Sequence, residues 1–241
     1  MFRHQGKTRT FSHNLKIASL LSFVAGLVNV VGFLAVQRLT TNVTGHFAFF
    51  MGEVSRLNYW QGFIYLLYIF FFLLGAFSSN FLIELMSRTD DHYIYVIPAS
   101  IECAILFTIG FSGTHLIQLH PDLVTFNLLF AMGLQNSLVT TISKAAVRTT
   151  HLTGLFTDLG IELSQLFFYK APEHRKKLFS SIKLRLTIIS FFFIGGIVGD
   201  IIYVKVKLYA LIFAAMILSL GLVYDNIKFK LILLQRKLKS N

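Results

Sequence analysis

Apolar stretches long enough to cross a bilayer recur along this chain, at residues 17–36, 62–86, 93–111, 123–140, 186–204 and 208–224. A helix rises 1.5 Å per residue, so about 20 residues cover the ~30 Å hydrocarbon core. A chain with so many such stretches has no way to hide them in one soluble core. Only 14% of its 241 residues are charged and 55% are hydrophobic, against roughly 25% and 45–50% in soluble domains. The predicted class is an all-α integral membrane protein, one polytopic domain over residues 1–241. Residues 17–36 exceed the usual apolar length of a secretory signal and are read as a retained first span.

The net charge of +11 would suggest nucleic acid in a soluble protein. Here the basic residues flank apolar stretches. They cluster at Arg3, Lys7, Arg9 and Lys16, in a predicted basic cytoplasmic loop at about 169–185, and in a basic tail at 228–241. That is the positive-inside pattern. It predicts membrane lipid as a partner and excludes nucleic acid. The single Cys103 forms no disulfide framework within one chain. No metal-ligand cluster, P-loop, nucleophile elbow or zinc-protease motif is present, so no cofactor is expected.

The chain also repeats itself. Residues 40–53 align with 149–162, matching Thr40-Thr41, Thr44-Gly45, Phe47 and Glu53 to Thr149-Thr150, Thr153-Gly154, Phe156 and Glu162. Upstream, Phe23, Gly26, Leu27 and Asn29 match Phe130, Gly133, Leu134 and Asn136. Downstream, Phe71, Phe72 and Gly75 match Phe191, Phe192 and Gly195. Three matches in order predict two homologous halves, about 15–112 and 123–226. Each holds a span, a short Thr-Gly segment and two further spans.

The topology turns on those Thr-Gly segments. If both are re-entrant, each half has three crossings, the halves are inverted and both termini are cytoplasmic. Eighteen basic residues then lie inside and four outside. If both cross, eight spans and parallel halves result, with sixteen inside and six outside. The positive-inside rule favours six spans plus two re-entrant half-helices.

Several residues could carry function. Threonine can cap a helix N-terminus, and glycine admits close approach to the backbone. Thr44, Gly45, Thr149, Thr150, Thr153 and Gly154 therefore predict half-helix N-termini that bind a small polar or anionic solute. Close helix packing is the competing use of the same residues. Asn29 and Asn136, at matching places, are candidates to line that site or to hold helices together. Glu53, Glu162, Asp200 and Glu102 are candidate coupling or gating acids, because ionisable groups at membrane depth usually face a cavity or a partner. Asp158 lies one helical turn from Glu162, so the two share a face.

The two ordered Thr-Gly motifs, with Gly26-Leu27-Val28-Asn29 ahead of the first and Met132-Gly133-Leu134-Gln135-Asn136 ahead of the second, resemble the YoaK family. These are bacterial multi-spanning membrane proteins of unknown function. The resemblance covers roughly residues 15–225 and implies a bacterial cytoplasmic-membrane location. Asn29 and His46 depart from the family pattern, which often carries Asp and Asn there. The loss of an acid at residue 29 weakens proton coupling at that position.

The functional expectation is a secondary transporter or channel-like carrier of a small polar or anionic solute, not an enzyme. The alternative is a membrane scaffold or sensor that binds a protein or lipid partner. An integral-membrane enzyme ranks third. The sequence leaves an oligomer open.

Overall fold

The computed structural model describes residues 9–88 and 94–240, with the backbone alone at Thr114, Asn226 and 228–240. Arg3, Lys7 and Tyr93 lie outside the described residues. The described part is helical: α1 (Phe11–Val36), α2 (Thr44–Ser55), α3 (Tyr59–Ser87), α4 (Val96–Leu119), α5 (Pro121–Ser143), α6 (Leu152–Phe168), α7 (Pro172–Val206) and α8 (Ala210–Ser240). Five stretches among the described residues are long and apolar enough to cross a membrane. The fifth, residues 172–225, contains both α7 and the start of α8. A single 3-10 turn, opened by Lys207 at a φ of 54°, separates these two helices. The chain is a multi-pass membrane protein.

Two expectations about loops are corrected. Most of the basic loop at 169–185 is helical, because Pro172 at a helix start lets α7 begin there. Apart from Lys170, its lysines and arginines thus project from the first turns of a 35-residue helix. Residues 112–122, which separate the predicted spans 93–111 and 123–140, are not a loop but helix on both sides of His120, with Pro121 opening α5.

Helix directions follow from side-by-side contacts. Gly195 and Gly199 of α7 lie on Phe23 and Leu27 of α1, so these helices run parallel. Tyr68 meets Asp122 and Phe126, and Asn80 meets Thr141, so α3 and α5 are also parallel. Across α4 and α8 the order reverses, with Cys103 near Ser219 and Gly110 near Ile212. The tight connections at His120 and Lys207 turn α5 back along α4 and α8 back along α7. As a result α1, α4 and α7 run one way, and α3, α5 and α8 the other.

The most extensive interfaces are α1 with α7 and α3 with α5. Both are built on glycine, which lets helix backbones touch. A Cβ at Gly26 would overlap the Phe192 carbonyl, and one at Gly195 the Phe23 carbonyl. The other interface uses the matching residues: Gly133 lies on the Phe72 carbonyl and Gly75 on that of Phe130. Beside these pairs, α1, α8, α4 and α5 close into a ring through their successive contacts. Its interior is packed by residues such as Leu21, Leu106, Leu138 and Leu218.

Candidate functional site

The two short helices hang from the longer ones by matching devices. α1 ends at Gln37 and α5 at Lys144, both with left-handed φ, 53° and 52°. The connector after α1 then folds back, and the Thr41 hydroxyl donates to Asn29 Oδ1 at 2.6 Å. After α5, Thr150 and Thr149 donate to Asn136 Oδ1 at 3.0 and 3.4 Å. Thr40 packs into the space left by Gly32 on α1. Each asparagine thus ties the chain leading into a short helix to the preceding long one.

This corrects the capping role expected for the threonines. Val43 is the N-cap of α2 and His151 that of α6, and neither helix has a side-chain cap hydrogen bond. The threonines ahead of these helices bond asparagine instead. Thr44 and Thr153 are exposed in the first turns of α2 and α6. The two glycines receive groups from their own connectors, since Leu39 occupies the Cβ space of Gly45 and His151 that of Gly154.

The N-terminus of α6 opens on a polar cavity of about 400 Å³. Arg148, His151, Gly154, Asp158, Ser181 and Arg185 are among its lining residues. Uncapped N–H groups and the positive end of the helix dipole attract anions, and Arg148 adds a full charge. Arg185 is already engaged. It forks onto both Glu162 oxygens at 2.9 Å and reaches Asp158 at 2.9 Å. Ser181 donates to Glu162 at 2.6 Å. The i, i+4 spacing of Asp158 and Glu162 does place both on one face, where they hold one arginine between α6 and α7.

The equivalent acid, Glu53, ends α2. It accepts from Asn58 at 2.8 Å and lies 3.7 Å from Arg56, which closes the turn into α3. Asp200 is exposed on α7, on the face that also exposes Ile197 and Val204. Glu102 is fully buried in α4, and neither of its oxygens has a hydrogen-bond partner. The structure therefore gathers Thr149, Thr150 and Asn136 behind the α6 site and Gly154 and Glu162 around it. Glu53, Asp200 and Glu102 stand apart from it.

Sequence reasoning missed a second cluster. His46 is buried against Tyr68, with ring centroids 4.9 Å apart, and its Nε2 meets the Leu39 carbonyl at 2.6 Å. Tyr68, also buried, bonds Asp122 at the start of α5. No local pattern announces this cluster, because its members come from three helices.

No curated protein and no solved structure matches the chain. Residues 17–224 match the model of a family described as a protein of unknown function, DUF1275, and the chain belongs to that family.

Proposed function

We propose that the protein is a carrier of a small anionic solute across the membrane, built from two inverted halves of three crossings each. α2 and α6 are its re-entrant half-helices. The observation that carries the reading is the uncapped N-terminus of α6, which opens on a polar cavity beside Arg148. The helix directions support the topology. If α2 and α6 both crossed, α4 and α8 would run parallel, whereas the Cys103–Ser219 and Gly110–Ile212 contacts favour an antiparallel pair. Length agrees for α2, whose 12 residues rise about 18 Å. The 17 residues of α6 reach about 26 Å, near the lower limit for a crossing. Matching contacts at matching residues support a duplication, the layout in which carriers place solute sites at the repeat interface.

In this account Asn136, Thr149 and Thr150 fix the approach to α6, and Arg148, His151 and the first-turn N–H groups meet the solute. Thr44, Gly45 and Asn29 form the matching end on the other side of the membrane. Glu162 and Asp158 hold Arg185 at the cavity wall and so gate it, and Asp200 and Glu53 are acids on the moving helices. The positive-inside distribution supports cytoplasmic termini, and the family resemblance supports a bacterial cytoplasmic-membrane location. The test is thermal unfolding of purified protein with inorganic phosphate, sulfate or succinate. At least one anion should raise the midpoint, and Arg148→Ala should abolish the rise while the anion-free midpoint stays put. No rise with any of them, or a rise that Arg148→Ala leaves intact, contradicts the site.

A lipid-binding reading has one observation in its favour. An apolar cleft of about 830 Å³ runs between α4 and α8, lined by residues such as Phe107, Met216 and Leu220, and its chemistry suits an acyl chain.

A further inference from the structure

Glu102 is the one acid on α4, and the α6 site makes no use of it. Its level in the membrane follows from neighbouring contacts. Cys103 lies 2.8 Å from Ser219 on α8. Gly221, half a turn further along α8, lies on Leu20 of α1. Gln135 on α5 reaches the Leu21 carbonyl of α1 at 3.1 Å. Glu102, Ser219, Leu21 and Gln135 therefore share one level of the ring formed by α1, α4, α5 and α8. Being fully buried on a helix whose main partners are α5 and α8, Glu102 faces the inside of that ring.

Gln135 is fully buried too. Its nitrogen serves Leu21, and its Oε1 has no partner. Among the described residues, α4 and α5 thus bring three unpartnered oxygen acceptors to this level, two on Glu102 and one on Gln135; the hydroxyl of buried Ser22 on α1 is also unpartnered, but one hydroxyl cannot serve all three. Acceptors alone cannot satisfy one another, and a bare carboxylate away from water is strongly disfavoured. A proton on Glu102 removes the charge and supplies the missing donor at once. A metal cation fits less well, because hard cations take six or more oxygens and helical hydrogen bonding already uses the backbone carbonyls around Glu102.

We propose that Glu102 is an exchangeable proton-binding site in the membrane core, with the Gln135 amide oxygen on the facing helix as its acceptor. The titratable groups around it leave this role to Glu102. On α4, Cys103 is engaged with Ser219 and the Ala215 carbonyl. On α5, Asp122 sits at the far end and bonds Tyr68. On α8, Asp225 lies toward the other end, in a group with Arg9 and Tyr95. Lys207 on the 3-10 turn lies over Tyr203. From α3, which touches α4 lightly, Glu84 is exposed. The Arg9–Tyr95–Asp225 group stands at the N-terminal end of α4, where a proton arriving from that side would first meet protein. The use of this proton as the coupling ion rests on the carrier reading, but the site itself is testable without a solute.

The experiment labels the full-length protein in membranes with dicyclohexylcarbodiimide, an apolar reagent that adds to protonated carboxyl groups and leaves a stable N-acylurea. Peptide mass spectrometry then locates the adduct. The expected result is an adduct on Glu102 that declines about tenfold per pH unit once the carboxyl begins to ionise. Glu102→Gln should carry none, Glu102→Asp should label with a displaced pH profile, and sodium chloride should not protect. Gln135→Met, apolar and of similar size, should also displace the profile. No adduct on folded protein at any pH overturns the site. An adduct insensitive to pH makes the proton a fixed structural one, and protection by sodium makes the ligand a metal cation; either contradicts the proposal. An unmoved profile in Gln135→Met removes Gln135 from it. Absence of anion stabilisation in the wild type would instead end the carrier reading and leave the labelling result standing.

Discussion

Gly26 on α1 lies directly on the backbone carbonyl of Phe192 on α7, with no room for a Cβ between them. Gly133 holds the same relation to Phe72, across α5 and α3. With lipid as apolar as leucine, helices in a membrane gain little from the hydrophobic effect against one another. Close backbone approach and van der Waals contact have to hold them. These glycines are where the two large interfaces of the protein achieve it.

Substitution there should be costly. Gly26→Leu or Gly133→Leu forces α1 from α7 or α5 from α3, and overpacking of this kind costs about 1–3 kcal/mol. Thermal unfolding in detergent should show a clear fall in midpoint. Gly52→Ala and Gly160→Ala, where a Cβ meets nothing within 4 Å, should match or exceed the parent, since alanine favours a helix by about 1 kcal/mol. Equal losses at all four positions would contradict the backbone-contact account.

The asparagine ties predict a smaller, local effect. Thr150→Val removes the 3.0 Å bond to Asn136, and a hydrogen bond of this kind contributes about 1 kcal/mol. Asn136→Ala removes the partner of both threonines and should weaken anion stabilisation more than either threonine change. Hydrogen exchange should rise in the chain leading into α6 and not in α3.

Breaking the α6–α7 ion pair should act on stability and gating together. In Arg185→Ala, Glu162 loses its fork while only 13% exposed, so destabilisation of about 1–3 kcal/mol is expected, below the range for a wholly buried pair. Glu162→Gln keeps the Ser181 contact and should cost less, yet change anion uptake by reconstituted vesicles. Uptake unchanged in both Glu162→Gln and Asp200→Asn, with the same pH dependence, would remove these acids from coupling and gating.

Much of this was legible in the sequence, for physical reasons. Long apolar runs can only be spans, and the asparagine–threonine and glycine–phenylalanine matches reappear as matching contacts. The Asp158–Glu162 spacing also fixed a shared face. What the sequence hid were partners remote in the chain. Arg185 reads as one charge in a basic run until α6 and α7 pack together. His46 and Tyr68 reveal nothing until α2 lies on α3. The capping expectation failed because a threonine hydroxyl satisfies whichever acceptor or donor is nearest, and the folded connector offers it asparagine.

The most direct test of the central claim is the side of the membrane on which two connections lie. In a Cys103→Ala background, single cysteines replace His120, between α4 and α5, and Ala146, between α5 and α6; both positions are exposed. Intact cells are treated with a membrane-impermeant thiol reagent. Inverted halves with re-entrant α2 and α6 predict labelling of His120→Cys and none of Ala146→Cys until the cells are opened. The reverse pattern, with Ala146→Cys labelled from outside and His120→Cys protected, would mean that α2 and α6 both cross, and it would contradict the account.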